Sequence, residues 1–217
     1  KSAKTAPAAP AEPKISRTET AATKIKGASK SEMPDFIEPQ LATLVKSAPS
    51  GKRWLHEIKL DGYRLQARIN NNKVTLLTRT GLDWTHKFGT EIIEELEKLP
   101  VTNAIIDGEV AVEGGSGATD FSLLQQDLSE DRSDRFTFYA FDLLYLDDRD
   151  LTGVALLKRK EALEELLAGA PLPLRYSEHF GDEGGLVLKH ACRLSLEGII
   201  SKIATSTYQA GRGKDWV

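Results

Sequence analysis

The chain has a single cysteine, Cys192, in 217 residues. No internal disulfide can form, and a reducing, cytoplasmic setting is the reading this favours. No apolar run approaches the roughly 18 residues of a membrane span. The N-terminus lacks the apolar stretch of a secretory signal. An excess of basic charge is missing as well. The net charge is −3, which excludes a uniformly basic nucleic-acid binder and leaves only local patches for that task. His86, His179 and His190 have no metal-ligand spacing, which argues against zinc. There is no internal repeat.

What is present is an ordinary globular composition, 40% hydrophobic and 28% charged, enough for one large domain or two small ones. The charge is uneven. Residues 1–30 hold seven Lys/Arg against Glu12 and Glu19, so residues 31–217 carry the acidic excess. That N-terminal stretch is rich in Ala, Pro, Lys, Ser and Thr, with almost no large apolar side chain. It cannot bury enough surface to offset its ordering entropy. It reads as a flexible basic linker, stiffened at Pro7, Pro10 and Pro13, with order expected from about Met33 onward.

Residues 40–46 have a short helical pattern. Residues 54–60, 63–70 and 73–80 read as strands joined by short turns, which suits antiparallel pairing. Residues 90–99 make an apolar helical stripe ended by Pro100. Residues 103–112 read as a strand interrupted by Asp107-Gly108-Glu109. Asp120 is a candidate cap for a helix to Leu128. Residues 136–146 are almost continuously apolar, as in a buried strand. Helices follow at 156–168, closed by Gly169, and at 183–194 with Asp182 as cap. Strands are expected within 171–180 and at 198–203, then a loop at 208–217. The expected fold class is α+β, with two packed, mainly antiparallel sheets flanked by helices.

Polar clusters sit at the ends of the apolar strands. Lys59-Leu60-Asp61-Gly62-Tyr63-Arg64 sets two cations around a turn. Asp107-Gly108-Glu109, Phe141-Asp142 and Glu197-Gly198-Ile199-Ile200-Ser201-Lys202 follow. Alone, each has an ordinary reading: a solvated lysine, a turn, a strand start. Together, polar groups inside apolar strands are costly unless paired or functional.

In this order the clusters resemble the covalent nucleotidyltransferase superfamily of ATP-dependent DNA ligases, RNA ligases and mRNA capping enzymes. Lys59 to Arg64 is similar to its nucleophile motif, K-x-D-G-x-R. Thr78-Arg79-Thr80-Gly81, Asp107-Gly108-Glu109, Phe141-Asp142-Leu143, and Glu197-Gly198 with Lys202 resemble the motifs that follow. The resemblance covers about residues 33–217. Trp54 to Arg64, the Thr-Arg-Thr-Gly-Leu-Asp-Trp-Thr segment and the Glu-Gly-Ile-Ile-Ser-Lys segment look like the ligase domain of the bacterial ligase D branch, which works in non-homologous end joining. NAD-dependent ligases typically carry arginine where Asp107 stands, which favours ATP. The implied fold is the ATP-grasp-like adenylation domain.

The resemblance implies that Lys59 attacks the α-phosphorus of ATP to form lysyl-AMP. The attacking amine must be neutral, against an ordinary lysine pKa of about 10.4. Lys202, Arg64 and a metal are the groups expected to favour that form. Glu109 and Glu197 are the implied ligands of Mg²⁺ or Mn²⁺. Arg64 and Glu109 are implied at the ribose, Arg79 at a phosphate, and Lys202 at the α-phosphate. Phe141 matches the ring that stacks on adenine, worth about 1–3 kcal/mol. Glu57 can accept from the adenine 6-amino group, with Ile58 beside it, whereas guanine presents an acceptor there. His56 and Cys192 read as packing residues, Asp61 as a turn former, Trp84 as core or DNA contact, and Asp142 and Asp147-Asp148 as surface turn carboxylates.

The family's fifth motif places two lysines soon after a tryptophan like Trp216, and this sequence runs to Val217. Those lysines and the following OB-fold domain are expected to lie outside it. The implied partners are nicked or broken double-stranded DNA, the OB-fold, polymerase and phosphoesterase domains of one polypeptide, and Ku. The alternatives are a GTP-dependent capping guanylyltransferase or RNA ligase core, or an inactive nucleotide-binding scaffold.

Overall fold

A computed structural model describes residues 25–115, 117–181 and 183–217. Residues 1–24 of the expected linker, Ser116 and the expected cap Asp182 lie outside the described residues. The strands are β1 (Ser29–Lys30), β2 (Gln40–Leu41), β3 (Trp54–Ile58), β4 (Tyr63–Asn70), β5 (Lys73–Thr78), β6 (Asn103–Val112), β7 (Phe136–Leu146), β8 (Arg149–Asp150), β9 (Leu174–Tyr176), β10 (Ile199–Ile203) and β11 (Gly211–Arg212). The helices are α1 (Thr90–Glu97), α2 (Phe121–Ser129), α3 (Leu156–Leu166) and α4 (Gly184–Arg193). None is long and apolar enough to cross a membrane, among the described residues.

The α+β reading holds in outline. A seven-stranded sheet runs β1-β8-β7-β6-β4-β5, with β9 alongside β7. Its pairings are antiparallel except β7–β9. In place of a second large sheet there are two two-stranded ones, β3–β10 and β2–β11. The alternation in β4 works as the residues dictate. Leu65, Ala67 and Ile69 point into the main core, where they meet Ile92 and Leu96 of α1, Leu124 of α2 and Leu163 of α3. Arg64, Gln66 and Arg68 point the other way. Their side chains reach the backbone carbonyls of Gln40, Ile37 and Pro34. An extended N-terminal segment is thereby held across the second face of the sheet.

Four expectations change. First, β3 and β4 are not a hairpin. β3 pairs with β10 instead, because its own apolar residues Trp54 and Leu55 are buried away from the large sheet's core. Second, residues 40–46 form no helix. Gln40–Leu41 is a short strand parallel to Gly211–Arg212, and Leu44 is almost fully exposed, so there was no core for a helical stripe to face. Third, β6 runs unbroken through Asp107-Gly108-Glu109. Fourth, structure begins before Met33: β1 pairs with β8, and Ile25 and Ala28 pack on the main core. The expected Asp120 cap is present, accepting from the amides of Ser122 and Leu123.

The β6–β7 ladder slips twice. Asp107 faces Asp142 while Gly108 faces Ala140, so Phe141 is an extra residue. Likewise Ile105 faces Tyr145 and Ile106 faces Leu143, which makes Leu144 extra. Each bulge shifts the inward–outward alternation by one residue. Ala140 and Leu143 therefore face the main core, while Phe141 and Leu144 join a second cluster with Tyr145, Tyr208 and Trp216.

Two glycines permit the close approaches. A Cβ on Gly108 would come within 2.8 Å of the Tyr139 carbonyl oxygen and still closer to the Phe138 ring. A Cβ on Gly62 would run into the Val110 carbonyl oxygen. Gly62→Ala should therefore push the 59–62 segment off β6 and destabilise the domain by about 1–3 kcal/mol, read as a lowered midpoint in denaturant unfolding. An unchanged midpoint would show that the segment shifts freely.

Candidate active site

Antiparallel pairing of β3 with β10 sets Glu57 opposite Ile200 and Leu55 opposite Lys202. Just past the end of β3, the Lys59 amide donates to the Gly198 carbonyl at 3.0 Å. The Lys59 ammonium forms an ion pair with Glu197, both side chains being about two-fifths exposed (42% and 41%). Lys59 lines a cavity of about 540 Å³, which Glu197 reaches only through this ion pair. Glu57, Ile58, Lys59, Arg64, Arg79, Glu109, Phe141 and Lys202 all line it. The structure thus brings together the site residues expected from sequence, from β3, β4, the end of β5, β6, β7 and β10.

Glu57 is almost fully buried. Its Oε2 accepts from Lys202 Nζ at 2.8 Å, and its Oε1 lies 2.9 Å from Lys160 Nζ. Burial would raise this carboxyl, but Lys160 and Lys202 overcome it and hold Glu57 below the usual carboxylate range. Burial pushes the Lys202 amine down despite the neighbouring Glu57. Lys202 Nζ also lies over the Phe141 and Trp216 rings, 4.5 and 4.2 Å from their centroids, a favourable placement for a cation.

Arg64 makes a bidentate pair with Asp107, at 3.0 and 2.7 Å. A third bond goes to the Gln40 carbonyl at 2.6 Å. Tyr208 donates its hydroxyl to the same Asp107 at 2.6 Å. Burial alone would lower the guanidinium, yet the carboxylate keeps it above its ordinary value. The Arg64 guanidinium carbon lies over the Phe141 ring, 5.2 Å from its centroid. Phe141 is therefore in contact with Arg64, Lys202 and Trp216, and it borders the cavity. Arg79 is exposed at the cavity rim.

Glu109 sits next to this cluster. Burial pushes its carboxyl up to about 7, partly offset by Arg64 and Lys59. Among the described residues no group of three or more His, Cys, Asp or Glu could hold a metal on its own. Glu109 and Glu197 are the carboxylates near Lys59 whose chemistry suits a hard cation that takes its remaining ligands from a polyphosphate. Both are hard oxygen donors near Lys59, and a cation would relieve the desolvation cost of the partly buried Glu109 charge.

The family model described as ATP dependent DNA ligase domain matches residues 39–217. The chain belongs to this family. The chain is 40% identical over 193 residues to the multifunctional non-homologous end joining protein LigD of Pseudomonas aeruginosa, covering 88% of this chain and 23% of that protein. Among solved structures it resembles a mycobacterial DNA ligase D complexed with ATP and MES, with a TM-score of 0.72 and 33% identity over 84% of this chain and 60% of that one. The ligase domain of Mycobacterium tuberculosis LigD has the same TM-score and identity, with 59% of its chain covered. The ligase domain described here thus spans less than a quarter of that LigD protein from Pseudomonas.

Several residues of the ligase domain's site escaped the sequence. Lys160 and Arg159 sit in a charged helical run, yet both are fully buried. Arg159 pairs with Asp142 through two bonds, at 2.7 and 2.8 Å. Asp142 is therefore a core carboxylate and not a surface turn residue. Tyr208 and Trp216 lay in an expected loop. They are buried: Trp216 because Val217 and Asp215 hydrogen-bond to Ser201 and Ile203 of β10, and Tyr208 because its amide donates to the Thr152 carbonyl and its hydroxyl to Asp107. Cys192 is exposed and not core. His56 packs as expected, fully buried with its Nδ1 2.8 Å from Ser201 Oγ. Trp84 packs against Tyr63 and Phe88 and also borders the cavity.

The raised Glu109 carboxyl has a measurable consequence. Its ordinary value is 4.5, so the folded state holds this proton more tightly than the unfolded chain. Its contribution to stability is full below about 4.5 and is lost as pH rises through about 7. Glu109→Gln has no proton to lose. Its melting temperature should gain on wild type across that interval, checked by thermal melts at stepped pH. A difference that stays flat with pH would contradict this origin.

Proposed function

We propose that this chain is the adenylation domain of an ATP-dependent DNA ligase acting in bacterial double-strand break repair by non-homologous end joining. Residues 31–217 are the domain, and residues 1–30 its basic tether. The observation that carries the reading is Lys59, an amine ion-paired with Glu197 and near Glu109, lining the same cavity as Phe141 and Lys202.

In this reading the adenine stacks on Phe141, with its 6-amino group donating to Glu57. Guanine would oppose its O6 to the Glu57 carboxylate, two acceptors in conflict, which favours ATP over GTP. Ile58 lines the base pocket, and Arg64 and Glu109 serve the ribose. Lys202 and Arg79 serve the phosphates. The neutral Lys59 amine attacks the α-phosphorus. A P–N bond forms, the bond to the bridging oxygen breaks, pyrophosphate leaves with that electron pair, and the nitrogen loses its proton. The Lys59 ammonium must first lose a proton, because an ammonium has no free electron pair, and the adjoining Glu197 carboxylate or water takes it. Glu109 and Glu197 would hold Mg²⁺ or Mn²⁺, which when bound neutralises charge on the transferred phosphoryl group. AMP then passes to a DNA 5′-phosphate. The DNA partner, Ku and the polymerase, phosphoesterase and OB-fold domains belong to this proposal, as does action in the cytoplasm at the nucleoid.

Incubation with α-labelled ATP or GTP and Mg²⁺, then a denaturing gel, tests it. The expected result is an acid-labile AMP adduct from ATP that Lys59→Ala abolishes. Labelling from GTP alone would point to a capping-type enzyme. No adduct, even in a polypeptide extended past Val217 by the family's OB-fold domain, would point to a nucleotide-binding scaffold.

Sealing should depend on that extension. The chain of residues 1–217 should join nicked DNA far more slowly than the extended polypeptide, by about 100-fold or more if closure and orientation come from the added domain. Equal rates on a labelled nicked duplex would show that the added domain is dispensable.

A further inference from the structure

Lys160 is a buried cation that none of the roles above uses. It comes from α3, outside the five motifs. Its side chain is fully buried and does not border the cavity. Its Nζ donates to the Ser177 carbonyl at 2.9 Å and reaches the Phe141 carbonyl at 3.4 Å. It lies 4.6 Å from the Tyr176 ring centroid. With two carbonyls and a ring around it, this cation is fixed by its surroundings. Its one anionic contact among the described residues is Glu57 Oε1 at 2.9 Å.

Lys202 is differently placed. It shares Glu57 with Lys160, but it borders the cavity and rests between two aromatic faces. One carboxylate thus faces two lysines, leaving one surplus positive charge in a buried cluster. A nucleotide phosphate is an anion that Lys202 can reach and Lys160 cannot. If Lys202 turned to it with no Lys160 behind, Glu57 would be left as an unpaired buried charge, which is strongly unfavourable. Glu57 Oε1 accepts no hydrogen bond among the described residues despite the nearby Lys160. Glu57 itself lines the cavity, so a base entering there meets a carboxylate held from behind by Lys160.

We infer that Lys160 is a positioning residue for nucleotide selection: it anchors the Glu57 carboxylate from behind, so that Lys202 can leave for the nucleotide phosphate while Glu57 still reads the base. The inference rests on the adenylation reading above and assigns Lys160 no contact with substrate. It predicts that Lys160 and Glu57 act as one unit.

The test compares ATP with purine riboside triphosphate, which lacks the 6-amino group, by binding titration and by rate of adduct formation. Wild type should prefer ATP by about tenfold or more, since a buried carboxylate left without its donor is penalised. Lys160→Met should cut that preference to within about threefold and slow adduct formation from ATP. In a Glu57→Gln background the same substitution should change neither quantity, because no carboxylate then needs an anchor. That background also serves if Lys160→Met alone fails to fold, since both buried charges are then reduced together. An unchanged ATP preference in Lys160→Met, or losses from the two substitutions that simply add, would overturn the inference. A wild-type chain that labels with ATP while either of those holds leaves the adenylation reading standing. A wild-type chain that neither binds ATP nor labels, even when extended past Val217, overturns both.

Discussion

The site depends on one pairing between strands far apart in the chain. β3 and β10 meet antiparallel over five residue pairs, and neither strand belongs to the large sheet. This small ribbon carries Glu57 and Lys202, while Lys59 and Glu197 sit just beyond its end. The large sheet supplies Arg64, Glu109 and Phe141 from the other side. A cavity between two sheets follows from that division, and a hairpin of β3 with β4 would have left no such gap. The two walls are kept apart by what each must bury: Leu55 packs with Leu156 and Ala204, while β4 feeds the main core.

Charge compensation then decides how the walls are lined. Buried ions remain charged only when paired and hydrogen-bonded. Around the site, among the described residues, that condition is met by Arg64–Asp107, Arg159–Asp142 and Glu57 between two lysines. Glu109 is the exception. It lies near Arg64 without a direct bond to it, and its carboxyl is pushed up toward neutrality. The paired groups form rigid walls, whereas Glu109 and the half-exposed Lys59–Glu197 pair remain adjustable. Rigid recognition beside adjustable chemistry is the division of labour a group-transfer site requires.

Much of this was legible in the sequence, and the reasons are specific. The motif residues announced themselves because each is a charge or glycine set in an apolar strand. β4 was legible because Leu65, Ala67 and Ile69 alternate, and the α2 cap because Asp120 precedes an apolar helical run. What stayed hidden was anything fixed by a distant partner. Lys160 looks like a solvated residue in a Lys-Arg-Lys-Glu run until Glu57, 103 positions away in the chain, is brought against it. Trp216 looks like part of a loop until β10 pairs with the segment that carries it. The hairpin expectation failed for a related reason: a short connection permits antiparallel pairing but does not compel it.

The bulge at Phe141 links fold and chemistry most tightly. β7 serves two masters, packing the main core with Ala140 and Leu143 and presenting Phe141 to the cavity between them. That switch exists because at this bulge, the first of two along the ladder, one residue more is threaded through β7 than β6 can match. The strand's residue count is therefore as functional as its residue identities. Single-residue insertions and deletions, which loops absorb, would here exchange the faces of core and pocket together. Natural variation in this domain should accordingly leave the length from β6 to β7 fixed between their paired ends, while side chains along it drift. A homologue that keeps every motif residue but has gained or lost one position in this strand would have an intact signature and a misdirected ring.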